Sequence, residues 1–172
     1  MSTYQEPYEM SKKAREERTN AVRHVAAEGI PFTLHSYDVS DGFQSGADAA
    51  KKTGMDPDTV FKTLVLKGHS GEHYVCVIPV LKELDLKKTA KFFGEKNVEM
   101  VHVKELLPLT GYVKGGCSPI GMKKKFPTAI HCTAENLENI CVSGGKIGLQ
   151  IELPPLELSA LIGAKFTDLT KN

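Results

Sequence analysis

An excess of charge of either sign is missing from this sequence. Its 22 lysines and arginines stand against 21 aspartates and glutamates, for a formal net charge of +1. No global basic field follows, so any grip on nucleic acid has to come from local patches. No apolar run is long enough to span a membrane, which argues against a membrane partner. The N-terminus lacks the apolar core of a signal peptide, and a cytoplasmic protein is expected. The cysteines, Cys76, Cys117, Cys132 and Cys141, form no C-x-x-C pair and no zinc-finger spacing. His69 and His73 flank Ser70-Gly71, which reads as a turn, so helical ligand geometry fails and no metal site or cofactor is expected. A Walker loop is absent, as is a G-x-G-x-x-G opening a helix, which disfavours nucleotide folds. So is any Ser-His-Asp order that would supply a catalytic base. Internal repeats and long linkers are missing too. At 172 residues the chain reads as one domain able to bury a substantial core.

What is present is concentrated in three clusters. Residues 111–121 read Gly-Tyr-Val-Lys-Gly-Gly-Cys-Ser-Pro-Ile-Gly, four glycines and a proline in eleven positions. Such a loop sets backbone shape and can turn a row of N–H groups toward one ligand oxygen, although a tight turn between strands is the ordinary reading. Lys123, Lys124 and Lys125 follow at once and favour an anionic partner. Upstream, Lys62 and Thr63 interrupt the strand-like run Val60-Phe61-Lys62-Thr63-Leu64-Val65-Leu66. Alternation puts Lys62 on the face of Leu64 and Leu66, where an ammonium is costly without a partner. An edge-strand lysine whose head reaches water is the plainer alternative. The third cluster, Val142-Ser143-Gly144-Gly145-Lys146-Ile147-Gly148-Leu149, offers a hydroxyl, glycine amides and a lysine, or else an ordinary hairpin turn.

The pattern predicts helices over Lys12–Glu28, Ala47–Thr53, Leu86–Phe93, Val103–Leu107 and Pro155–Ile162. Strands are expected at Phe32–Tyr37, Thr59–Leu66, Tyr74–Val80, Val98–His102, Thr128–Cys132, Ile140–Ser143 and Ile147–Leu153, with an end piece at Lys165–Leu169. Strands in adjacent runs with interspersed helices point to an α/β chain of α+β character with a mixed sheet. Residues 1–18 read as a polar extension and helix start, and 19–172 as the domain.

Taken together, Phe61-Lys62-Thr63-Leu64 and the two glycine clusters resemble the YbaK family in order and spacing, from about Thr19 to Leu169. That family comprises free-standing aminoacyl-tRNA deacylases akin to the editing domain of bacterial prolyl-tRNA synthetase. The resemblance implies a single domain with a mixed, strongly curved β-sheet flanked by helices. It implies an aminoacyl-tRNA substrate, with prolyl-tRNA synthetase as the candidate protein partner. The likeness is closer to the cysteinyl-tRNA(Pro) deacylases than to the alanyl-tRNA(Pro) editors.

Position by position, the resemblance implies that Lys62 contacts the terminal adenosine or its phosphate. Gly115 and Gly116 hold the aminoacyl carbonyl through backbone amides. Thr63, Ser118, Pro119, Ser143 and Gly144 are implied to bind the substrate, Pro119 also fixing the turn of the glycine loop, with Tyr37 at the pocket mouth. Ser45 stands where the family often places an aromatic, with Phe43 as the substitute from a shifted loop, and Gln150 stands where relatives can carry an acid. These two departures are the case for the rival reading, a tRNA- or synthetase-binding module with little catalysis.

A site of glycine, lysine and small hydroxyls has a chemical logic of its own. Amides aimed at a developing oxyanion can cleave an activated ester. With a cysteinyl substrate, the resemblance implies that the substrate thiol attacks its own ester, so the protein has only to orient and stabilise charge.

Overall fold

The computed structural model describes residues 18–40 and 46–172. The expectations for the N-terminal extension, the Lys12 helix start, Phe43 and Ser45 lie outside the described residues. The first described helix, α1 (Asn20–Ala27), opens at Thr19, whose hydroxyl accepts from Val22 N at 3.1 Å while its own backbone is extended. The helix expected to run through this point therefore begins here, because a threonine cap satisfies the first orphan amides better than continuation would. Ala21, Val22 and Val25 are its buried side.

The strands separate into two sheets. A three-stranded antiparallel sheet has the order β1 (Thr33–Ser36), β7 (Leu149–Leu153), β6 (Ile140–Ser143). A five-stranded mixed sheet has the order β4 (Val98–Met100), β2 (Phe61–Gly68), β3 (His73–Pro79), β5 (Thr128–His131), β8 (Lys165–Thr167). In it β2–β3 is the expected hairpin, pairing Phe61 with Pro79 and Lys67 with His73, and β5 and β8 add on in parallel. A parallel bridge between Val60 and Cys141 joins the sheets, so the curved sheet of the sequence reading is continuous only at this point.

Four further helices complete the described residues: α2 (Gly46–Thr53), α3 (Leu86–Phe93), α4 (Val103–Thr110) and α5 (Pro155–Ile162). Asp85 caps α3, accepting from Lys88 N at 2.9 Å. Helix α4 runs a turn beyond the expected Leu107 in spite of Pro108, because the proline forfeits one amide while the Thr110 hydroxyl bonds Leu106 O and Gly111 closes the end. No described helix is long and apolar enough to cross a membrane.

The five-stranded sheet is buried on both faces, and the sequence of β3 shows why. Val75, Val77 and Ile130 meet the main core with Phe61, Val65 and residues of the smaller sheet. Leu66, Cys76, Ile78 and Ala129 meet Leu84, Ala90 and Leu169 on the other face. A near-continuous apolar run is what a strand covered on both faces requires.

Two glycine-rich turns close over one end of this arrangement. The β6–β7 turn passes so near the 111–121 loop that a Cβ on Gly116 would sit 2.9 Å from Lys146 Cα, Lys146 C and Ile147 N. On the far side, Gly145 has φ +100° and packs on Thr19 and Tyr112, and the Thr19 hydroxyl donates to Gly144 O. Since backbone cannot retreat as a side-chain end can, Gly116→Ala is expected to destabilise the fold by about 1–3 kcal/mol, the usual cost of overpacking. Urea unfolding should show a lower midpoint at unchanged slope. A wild-type midpoint would mean that the turns separate freely.

Candidate functional site

A cavity of about 320 Å³ opens beneath these turns. It wraps around one edge of β2, because β4 pairs with β2 only at Leu66–Gly68 and leaves Phe61–Leu64 without a strand on that side. Residues from both faces of β2 therefore reach it: Phe61 and Thr63 from one, Lys62 and Leu64 from the other. The opposite wall is Ser143, Leu149 and Gln150 of the smaller sheet. Tyr37, Ala47 and Ala49 form one rim, and Lys114, Gly115 and Cys117 of the glycine loop the other.

Lys62 is half-buried, and desolvation lowers its ammonium pKa from the ordinary lysine value, with the charge of Glu83 opposing the shift. No carboxylate reaches ion-pair distance of it among the described residues, since Glu83 is taken by Lys171 at 3.0 Å. Thr63 Oγ1 and Gln150 Oε1 are buried in the wall and have no hydrogen-bond partner among the described residues. Ser143 Oγ accepts from Gly145 N at 3.2 Å, which leaves its proton free to donate. Burial raises the Tyr37 phenol, against a hydrogen bond from the Gly148 backbone.

The glycine loop is braced from within. Tyr112 donates to Ile120 O at 2.6 Å, Ile120 N donates to Ser118 Oγ at 3.2 Å, and Gly116 N donates to Val113 O at 3.0 Å. Thus Lys62, Thr63, Gly115, Tyr37 and Ser143 of the expected residues are brought together around the cavity. Gly116, Ser118, Pro119 and Gly144 are not in its lining. Gly116 and Gly144 are where the backbones close up, Ser118 is fully buried inside the loop, and Pro119 faces a separate hollow beside His24 and Lys124. The Gly116 amide is engaged in the turn, while Lys114, Gly115 and Cys117 line the cavity with no hydrogen bond from their own backbone amides among the described residues.

The sequence marks Gln150 only by the acid it replaces, and it carries no signal for Lys114, Ala47 or Ala49, which also line the cavity. Gln150 stands directly across from Ser143 on β6 and from His35 on β1, so the pairing register puts it on the cavity face. One pair further along that face lie Glu152 and Cys141, and His35 Nε2 meets Glu152 Oε1 at 2.8 Å. Atoms of His35, Cys141 and Glu152 lie within 4.8 Å of one another. Burial and the Glu152 charge push the Cys141 thiol up to about 12, well away from the thiolate a metal takes. Among the described residues no histidine, aspartate or glutamate lines the cavity itself.

Comparison with known proteins bears on this arrangement. Residues 42–161 match the family model of the aminoacyl-tRNA editing domain. The chain is 44% identical, over 94% of its length and 98% of the other, to EbsC of Enterococcus faecalis, described as a candidate Cys-tRNA(Pro)/Cys-tRNA(Cys) deacylase. Over 72% of the chain it is 24% identical to a proline–tRNA ligase of Pelobacter propionicus, matching 20% of that enzyme. A solved structure of a candidate trans-editing enzyme for prolyl tRNA synthetase shares its fold, with TM-score 0.78 at 23% identity over 95% of this chain and 99% of that one.

Cys117 is the one thiol in the cavity wall, and its surroundings decide its reactivity. It is 7% exposed, and burial pushes its pKa up to about 11. Against an ordinary thiol near 8.5, its thiolate fraction at neutral pH is lower by on the order of a hundredfold. Native alkylation with iodoacetamide, followed by peptide mass mapping, should therefore modify Cys117 at least that much more slowly than a free cysteine peptide. Rapid labelling would return it as a nucleophile.

Proposed function

Because this chain belongs to the aminoacyl-tRNA editing domain family, we propose that it is a trans-editing deacylase that clears cysteine from mischarged tRNA(Pro). The likeness to part of a proline–tRNA ligase supports tRNA(Pro) as the carrier and prolyl-tRNA synthetase as the partner. The observation that carries the mechanism is a cavity containing a desolvated lysine, unpartnered Thr63 and Gln150 oxygens and loop amides, but no carboxylate or imidazole among its described lining residues. Such a site stabilises charge and orients groups; it has no base with which to activate water.

The cysteinyl ester removes the need for one. Its thiol ionises far more readily than a hydroxyl, and in thiolate form its sulfur attacks the ester carbonyl carbon of the same residue. The S–C bond forms, the C–O bond to the ribose breaks, and the ribose oxygen takes up a proton to leave as the free tRNA hydroxyl. The β-thiolactone released then opens in water to cysteine. Lys62 holds negative charge at the terminal nucleotide and favours the thiolate. Gly115 and Cys117 N–H groups hold the carbonyl oxygen as it becomes an oxyanion, while Gly116 fixes their position. Thr63, Ser143 and Gln150 take the amino group and thiol end of the substrate, and Tyr37 stands at the mouth.

Lys62→Ala should lower kcat/KM on cysteinyl-tRNA(Pro) by on the order of a hundredfold, as removal of one charge-stabilising group does. Lys62→Arg should restore part of it, because the planar head differs in shape and reach. The wild-type rate, corrected for spontaneous hydrolysis, should fall as pH rises through a lysine pKa below the ordinary value. That alkaline limb should vanish in the arginine variant, which stays charged. Unchanged turnover in the alanine variant would remove Lys62 from the mechanism.

A second measurement tests whose thiol acts. Seryl- and alanyl-tRNA(Pro) should be cleaved far more slowly than the cysteinyl ester, and cysteine thiolactone should appear before cysteine in rapid-quench chromatography. Equal rates for the cysteinyl and seryl esters would replace cyclisation by attack of water.

A further inference from the structure

Lys62 and Leu64 line a second hollow as well as the cavity. On the α3 side of β2 they open onto a groove of about 600 Å³. Its apolar floor is Leu64 with Leu86 and Met100, which are 42% and 44% exposed and lie close to the cavity without filling it. Three cations, Lys62, Lys87 and Lys171, face two acids, Glu83 and Asp85. Both acids are already engaged: Glu83 bonds Lys171 at 3.0 Å and Asp85 caps α3 through Lys88 N at 2.9 Å. Lys87 is exposed and has no ion-pair partner among the described residues, so positive charge is what the groove has left to offer.

The two volumes divide the substrate naturally. The cavity, about 320 Å³, is near the low end of small-molecule sites and suits an aminoacyl group with its ribose. A strand continuing from that ribose must pass Lys62, because it is common to both hollows. We propose that the groove binds the nucleotide preceding the aminoacylated one. Lys62 meets the phosphate joining the two, Lys87 meets the next phosphate, and the base lies on Leu64, Leu86 and Met100. Cations along the backbone are usual in single-strand binding, and here an aliphatic floor stands where such sites commonly place an aromatic platform. The inference rests on the deacylase reading for its substrate, and it makes Lys87 and Met100 determinants of tRNA-end binding.

Titration calorimetry with unacylated pCpA, the last two residues of a tRNA CCA end with both of their phosphates, and with 5′-AMP separates the two hollows. pCpA should bind the wild type at least about fivefold more tightly than AMP, which carries only the phosphate assigned to Lys62. Lys87→Ala and Met100→Glu, both at exposed positions, should each erase most of that advantage. Lys87→Ala should also reduce the slope of log K against log salt by about 0.7, the signature of one lost phosphate contact on a single strand. Equal affinities for pCpA and AMP, or a pCpA affinity unchanged in both variants, would overturn the groove assignment even if cysteinyl-tRNA(Pro) is cleaved. A pCpA preference abolished by both variants would sustain it even if no ester is cleaved, in which case the deacylase reading alone would fall.

Discussion

The site depends on two stretches of backbone being able to touch. Where the 111–121 loop meets the β6–β7 turn there is room for a hydrogen on Gly116 and for nothing larger. That approach fixes the loop carrying Gly115 and Cys117 relative to the sheet carrying Ser143 and Gln150. The turn is held from behind by Thr19, which caps α1 with one lone pair and donates to Gly144 O through its hydroxyl. Tyr112 braces the loop through Ile120 O. Oxyanion stabilisation needs donors that are already in place when charge develops, since reorganising them at that moment would consume the gain. Close backbone packing provides that stiffness without bulky side chains in the cavity.

Burial acts on the ionisable groups of the cavity in opposite directions, and both favour the uncharged form. It lowers the lysine at 62 and raises the tyrosine at 37 and the thiol at 117. The Cys117 thiol, pushed up to about 11, stays protonated at neutral pH. A substrate with an ionisable group on its side chain can supply what the walls lack. Under the proposed function, selectivity for cysteine over serine lies in reactivity more than in fit, since packing alone separates two side chains of nearly the same size poorly.

The uncovered stretch of β2 also has consequences beyond the cavity. Because β4 pairs only with its far end, residues 61–64 have no ladder partner on that side, and Lys62 and Leu64 line both the cavity and the groove beside α3. A strand paired on both sides would have left Lys62 either in the core or on a solvated face. At this edge its stem lies in apolar surroundings while its head is shared by two hollows. A cation so placed can serve the reacting end and the continuing strand of one polymeric substrate.

Much of this was legible in the sequence. The β2–β3 hairpin, α3 and α5 follow from runs of β-branched and helix-forming residues bounded by glycine and proline, and local chemistry decided them. The lysine breaking an apolar strand and the two glycine clusters marked the site because residues of that kind, in those places, are hard to explain as core. What composition and periodicity left open was decided by long-range contact. Gln150 faces the cavity because β7 pairs between β1 and β6 in one register, and a shift of a single residue would turn it into the core. Ser118 and Pro119 share a loop with Gly115 yet point elsewhere, since hydrogen bonds inside the loop set its path. The start of α1 depended on a threonine cap tied to a turn 125 residues away. The sequence by itself determined most of the elements and marked part of the cavity lining, Lys62, Thr63, Gly115, Tyr37 and Ser143, because those are local preferences. Only the tertiary structure decided which of those residues meet, since facing, burial and free volume arise from contacts between segments far apart in the chain.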